Sequence, residues 1–263
     1  SLLLPLPLAA QSFEIPGLET DASSYESALT RRFPAGATPQ QRAAAESRAR
    51  AAETRNDWPA AAAAWEERIA AGQATADHWL ALANAQLRRN PPEANRALQA
   101  SWRAFMLVPG GTPEIPSLLV MAEALRRLDQ PAWQIQALEA VVERAPDDAK
   151  QREALAQARR AAGLLVRRVR TEPDAEPARA CLDFTSAPAR RTDWQPGDWV
   201  RADPPIPGMA VTRERDVICV AGLPWGATTR LTLRAGMPGE DGLRVNRDTT
   251  FNIAMPNRAP NIA

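Results

Sequence analysis

Thr171-Glu172-Pro173-Asp174-Ala175-Glu176-Pro177 packs two prolines and three acids into seven residues, a run that cannot continue a helix. Ahead of it the chain is rich in Ala, Leu, Arg and Glu, residues of high helix propensity. Beyond it the composition turns to Val, Thr, Pro and Gly, with short apolar alternations. A chain of 263 residues has room for two domains with a core each. The sequence therefore predicts a multi-domain chain, α first and β second.

Within the helical part, turn signals recur between periodic apolar segments. They are Asn56-Asp57-Trp58-Pro59, Asn90-Pro91-Pro92 and Asp129-Gln130-Pro131, with 34 residues from Asn56 to Asn90 and 39 from Asn90 to Asp129. Between the first two turns, Trp79, Leu82, Ala83 and Gln86 stand at large, large, small and large positions of one helix; Ala97, Ser101, Ala104 and Pro109 follow on the next. Leu118, Met121, Ala122 and Leu125, then Leu138, Val141 and Pro146, repeat the pattern. Ala45, Ala49, Ala52, Ala61 and Trp65 form a weaker first unit, and a last helix from about Asp147 to Leu165 is expected to cap the stack. Two helices per unit at a spacing near 34 residues resemble tetratricopeptide repeats, here irregular in length. The fold expected is an α-solenoid of tetratricopeptide-like helical hairpins, followed by a small antiparallel β-sandwich.

The β part rests on period-two runs. Ala178 to Thr185 and Thr229 to Ala235 alternate, Asp216 to Ala221 is apolar on both faces, and glycines and prolines break these runs at short intervals. The two cysteines, Cys181 and Cys219, fall in two of the expected strands and fit neither a zinc site nor a Cys-x-x-Cys motif. If those strands are neighbours, the cysteines share a face. A disulfide, worth roughly 3–4 kcal/mol in the chain-entropy model, is then the expectation, two buried thiols the alternative.

Catalytic chemistry is thinly represented. His78 is the one histidine, which excludes multi-histidine metal sites, and no Gly-x-Ser-x-Gly elbow accompanies it. It reads as a helix-packed or surface residue. No phosphate-binding glycine loop occurs, and Gly110-Gly111 reads as an inter-hairpin turn. The acidic pairs Glu66-Glu67, Asp147-Asp148 and Glu240-Asp241 are sequence neighbours, poorly placed to share a substrate; Asp147-Asp148 reads as a helix start. No enzyme, metal or cofactor is expected. The net charge of +1 lacks the basic surplus that nucleic acid or an anionic membrane surface demands. Trp58, Trp65, Trp79, Trp102 and Trp133 sit at hairpin-packing positions and are expected in the core. The functional candidate is the concave face that such arrays present. By position Glu46, Arg50, Asn84, Arg88, Glu123 and Arg127 would line it, although an ordinary solvated helix face carries the same residue types.

Leu2 to Gln11 is apolar, ends on small residues, and looks like the end of a secretory signal peptide. It is shorter than the ~20 residues a membrane span needs, so export, with no membrane span, is expected, a greasy strand or ordered arm being the alternative. The boundaries expected are a signal-peptide remnant over 1–11, an extended segment over 12–37, helical repeats over 38–170, a linker over 171–178 and the Ig-like domain over 179–263.

One further resemblance covers about the last ninety residues. Ala180-Cys181-Leu182-Asp183-Phe184, then Ile218 to Pro224, Thr229 to Pro238, Asp241-Gly242 and Pro256-Asn257-Arg258-Ala259-Pro260 form an ordered series. The series resembles the leading Ig-like domain of bacterial alpha-2-macroglobulins, some of which carry helical repeats ahead of it. The resemblance implies an N-terminal, non-catalytic interaction and architectural segment of a periplasmic protease inhibitor. The family traps target proteases with a bait region and, in many members, a Cys-Gly-Glu-Gln-type thioester. Cys181 and Cys219 stand in no such motif, so proteases are expected to engage only domains outside this sequence. The chain closes at Asn261-Ile262-Ala263 where the family would run on into macroglobulin domains, so it is expected to be an N-terminal fragment. The resemblance also implies a protein partner for the repeats, of the penicillin-binding cell-wall synthase type encoded beside some members. The alternative is an independent periplasmic scaffold that assembles envelope machinery through its repeats.

Overall fold

A computed structural model describes residues 15–32, 37–107, 114–190, 194–240 and 242–258. Among the described residues there are eight α-helices and then seven strands, with a single 3-10 turn at Pro196–Asp198. The chain divides into two compact units at Leu155/Ala156.

The helices are α1 (Leu18–Arg32), α2 (Pro39–Thr54), α3 (Trp58–Ala70), α4 (Ala76–Arg88), α5 (Ala94–Leu107), α6 (Glu114–Arg127), α7 (Pro131–Arg144) and α8 (Ala149–Ala162). Local chemistry sets their limits. Asn56 and Asp129 follow α2 and α6 in the left-handed region, at φ 56° and 53°, a conformation asparagine and aspartate tolerate better than most side chains. Asp57 then caps α3 by accepting from the Ala60 amide at 3.2 Å. Pro59 and Pro131 lie in the first turns of α3 and α7, where a missing N–H leaves nothing unsatisfied. Thr38 and Gln41 close a reciprocal capping box on α2.

Sequential helices pack pairwise, α2 with α3, α4 with α5 and α6 with α7, and successive hairpins pack on one another. The repeat positions are the buried ones. Trp79, Leu82, Ala83 and Gln86 are buried on α4, as are Ala97, Ser101 and Ala104 on α5, the helix it packs against. Leu118, Met121, Ala122 and Leu125 are buried on α6 and Leu138 and Val141 on α7, as are Ala45, Ala49 and Ala52 on α2 and Ala61 and Trp65 on α3, each within a packed helix pair. Each large apolar side chain so buried contributes ~1.5–3 kcal/mol. Ser101 is tolerated inside because its hydroxyl donates to the Ala97 carbonyl at 2.8 Å. Of the five tryptophans expected in the core, Trp65, Trp79 and Trp102 are buried, while Trp58 and Trp133 are half-buried. Pro109, Gly110 and Gly111 lie outside the described residues, as do the whole expected leader over 1–11 and residues 12–14.

Three of the expected segments differ from the sequence reading. The segment over 12–37, expected to be extended, contains helix α1, which packs against α3 and α5. The helical part does not run to 170, nor is 171–178 a free linker. Val166–Glu172 is a strand, β1, paired antiparallel with β2 (Arg179–Phe184), and the Pro173 to Pro177 stretch makes the turn between them. Helix α8 starts where Asp148 accepts from the Lys150 amide at 3.0 Å. It buries Leu155 alone, too little to cover the flank of a hairpin as a cap would.

The remaining strands are β3 (Val200–Asp203), β4 (Ala210–Glu214), β5 (Val217–Ala221), β6 (Thr228–Leu233) and β7 (Thr249–Ala254). All pairings are antiparallel, in one sheet ordered β1-β2-β5-β4 and another ordered β3-β6-β7. Lettered in chain order these are ABED and CFG, the seven-strand topology of an immunoglobulin constant-type sandwich. Leu182, Phe184, Ile218 and Val220 of the first sheet share one core with Val200, Leu231, Leu233 and Ile253 of the second. Gly163, at φ +74°, joins α8 to this unit. An added Cβ there would lie 2.4 Å from the Arg244 carbonyl oxygen, so no side chain fits.

Candidate functional site

The six residues expected to bind a partner all fall on the first helix of a hairpin, α2, α4 or α6, as three pairs four residues apart. Each side chain already has an intramolecular engagement. Arg50 Nη2 lies 2.7 Å from Glu46 Oε1, with its guanidinium carbon 5.6 Å from the Trp65 ring centre. Arg127 Nε lies 2.7 Å from Glu123, and its Nη1 donates to the Leu87 carbonyl of α4 at 3.1 Å. Arg88 lies over the Trp58 ring at 4.7 Å. Asn84 is half-buried and donates its amide to Leu80 of its own helix at 2.9 Å.

Glu46 is as much a structural tie as a surface acid. Its Oε2 is 3.8 Å from Arg68 Nε on α3 and 3.4 Å from His78 Nε2 on α4. The hydrogen bond from Arg50 holds the Glu46 carboxyl below its ordinary range, against the opposing effect of burial. Glu123 is held low in the same way, first by Arg126 and then by Arg127.

Arg50 and Arg127 therefore have their charges held in place by ion pairs within their own helices, and Arg88 by the face of Trp58. Exposed ion pairs of this kind are worth ~0.3–0.5 kcal/mol.

His78 is buried, and its tautomer follows from its neighbours. The Thr75 amide donates to Nδ1 at 3.0 Å, which leaves Nε2 to carry the proton toward Glu46. Burial, reinforced by Arg68, pushes its pKa below the usual imidazole value. No group of His, Cys, Asp and Glu among the described residues is arranged to hold a metal ion. No described helix is long and apolar enough to cross a membrane.

Cys181 and Cys219 are directly opposite on β2 and β5 and form a disulfide. It links β2 and β5, neighbouring strands of one sheet, where antibody domains join the two sheets. The cysteines face away from the core yet are buried. Arg170 on β1 and Thr212 on β4 flank them in register, and pairs from Arg170 to Asp183 and from Arg179 to Glu172 and Glu214 span the same face.

Sequence reasoning missed the polar contacts of α1. The Tyr25 hydroxyl donates to Glu66 on α3 at 2.8 Å, and the Trp102 indole of α5 donates to Glu19. Arg103 reaches Glu26 at 2.6 Å and Glu19 at 3.8 Å. The signal available was the spacing of Leu18, Ala22, Tyr25 and Leu29, four, three and four residues apart.

No family model matches the sequence, and no curated protein matches it. Among solved structures the chain is similar to one titled "TPR2AB-domain:pHSP90-complex of yeast Sti1", at 18% identity and a TM-score of 0.38. The match covers 53% of this chain and 48% of that one, so the chain spans about half the length of that structure. The fold assignment rests on the elements described above.

Proposed function

We infer that this chain is a non-catalytic protein-binding and architectural segment, and that it forms the N-terminal part of an exported, periplasmic alpha-2-macroglobulin-like protease inhibitor. The observation that carries the binding role is the α2/α4/α6 face, where three helices each present an i,i+4 polar pair and two arginines lie against tryptophan rings. Guanidinium groups pre-positioned in this way give up little side-chain entropy on meeting a carboxylate. The ABED/CFG topology supports the resemblance of the β unit to a leading Ig-like domain. The disulfide fits an oxidising compartment such as the periplasm. Protease trapping belongs to macroglobulin domains that would follow this segment.

The partner proposed for the repeats is the periplasmic part of a penicillin-binding cell-wall synthase. The test is a calorimetric titration of that protein with the whole chain, beside the variant Arg50→Glu, Arg88→Glu, Arg127→Glu. Binding that weakens at least tenfold in the variant, about 1.4 kcal/mol, supports the reading. Equal binding by both chains, or none by either, overturns it.

A further inference from the structure

Helix α1 is a poor helix on its own account. Its fifteen residues include Thr20, Ser23, Ser24, Ser27 and Thr30 besides Asp21, residues that compete with the helical backbone for hydrogen bonds. An isolated helix of this length is marginal in water even with good formers. Its helicity is therefore supplied by the surface on which it lies, that of α3 and α5. Leu18, Ala22 and Leu29 are buried there and make a narrow apolar seam.

The remaining contacts have the character of recognition. Tyr25 sits edge-on to Trp79 at 6.3 Å between ring centres, while its hydroxyl reaches Glu66. Glu66 is also approached by Gln86 at 3.2 Å and Arg96 at 3.5 Å. Glu19 and Glu26, seven residues apart and so on one side of α1, both pair with Arg103. An apolar seam with an aromatic anchor, edged by matched charges, is the anatomy of a helix bound in a groove.

We propose that the α3/α5 surface is a docking groove for an amphipathic helix bearing two carboxylates seven residues apart. Helix α1 is its resident occupant in cis, and a partner helix of the same chemistry displaces it. Charge complementarity at Arg103 selects this occupant. The site is distinct from the α2/α4/α6 face and does not depend on its function.

The test is a reciprocal charge exchange, read by fluorescence anisotropy of a labelled peptide of residues 15–32 added to the whole chain. In the chain variant Glu19→Arg, Glu26→Arg, the resident helix is repelled by Arg103, and the native peptide is expected to bind at least tenfold more tightly than to the unmodified chain. In the chain variant Arg103→Glu, the native peptide is expected to fail. A peptide carrying Glu19→Arg and Glu26→Arg is expected to bind there instead. Binding to neither opened chain, or binding indifferent to peptide charge, overturns the proposal. Hydrogen exchange on the unmodified chain is a second measurement that needs no mutation. Amides of α1 are expected to exchange through an opening separate from that of α3 and α5, and exchange of all three only together overturns the proposal.

Discussion

Replacing both cysteines, Cys181→Ala with Cys219→Ala, tests how the β unit is held together. The bond closes a loop of sequence separation 38. In the chain-entropy relation that loop corresponds to an unfolded-state entropy loss worth about 4 kcal/mol at 25 °C. The ion pairs around the cysteines are present with and without the bond, so they offset none of this loss. The pairing of β2 with β5 should survive, because Leu182 opposite Ile218 and Ala180 opposite Val220 anchor its register from the core side. The assay is hydrogen exchange of the β2 and β5 amides, whose protection reports the opening free energy of the sheet. Their exchange should accelerate by about three orders of magnitude, at 1.36 kcal/mol per decade. An acceleration below tenfold would show that the bond does not restrain the unfolded chain. Complete loss of protection would refute the claim that the apolar core alone fixes the register.

Two further outcomes follow from single residues. His78 has a depressed folded pKa, so the unfolded chain binds the proton more readily. Stability is then full above the ordinary imidazole value of ~6.5 and falls as pH drops through it toward the lower folded value. Urea unfolding followed from about pH 7.5 down to pH 5 should show this loss in the native chain and not in His78→Gln. Gly163→Ala places a Cβ against the Arg244 carbonyl at a left-handed φ, and should lower stability by more than ~2 kcal/mol in denaturant titration. A change below ~0.5 kcal/mol would mean that this connection relaxes freely.

Much of the helical array was legible because its punctuation and its core are local. Asn56, Asp57 and Pro59 carry stop, cap and start chemistry in close succession, and Asp129 with Pro131 repeats the device. Gln86 and Ser101 fell at core positions by periodicity, and the structure buries both with hydrogen-bond partners. Strand β1 was not legible. Val166-Arg167-Arg168-Val169-Arg170 continues the arginine-rich composition of α8, and an edge strand with little burial has no strong period-two signal. Helix α1 was hidden by its Ser and Thr content, since its helicity comes from a surface built much later in the chain. The ABED/CFG order was equally out of reach, because which strands pair is decided by contacts across tens of residues.

At the candidate face, the residue types and their helices were legible from hairpin position. Their engagements were not. That Glu46 ties α2 to α3 and α4, and that Arg88 lies over Trp58, depends on how neighbouring hairpins stack.

The most direct test of the central claim is site-specific photo-crosslinking of the whole chain to the periplasmic part of the synthase. A photoreactive side chain is placed at Asn84, midway along the α2/α4/α6 face, or at Thr232 on β6. Crosslinks from position 84 and none from position 232 are the result this account expects. Crosslinks from position 232 alone, or from neither position, would contradict it.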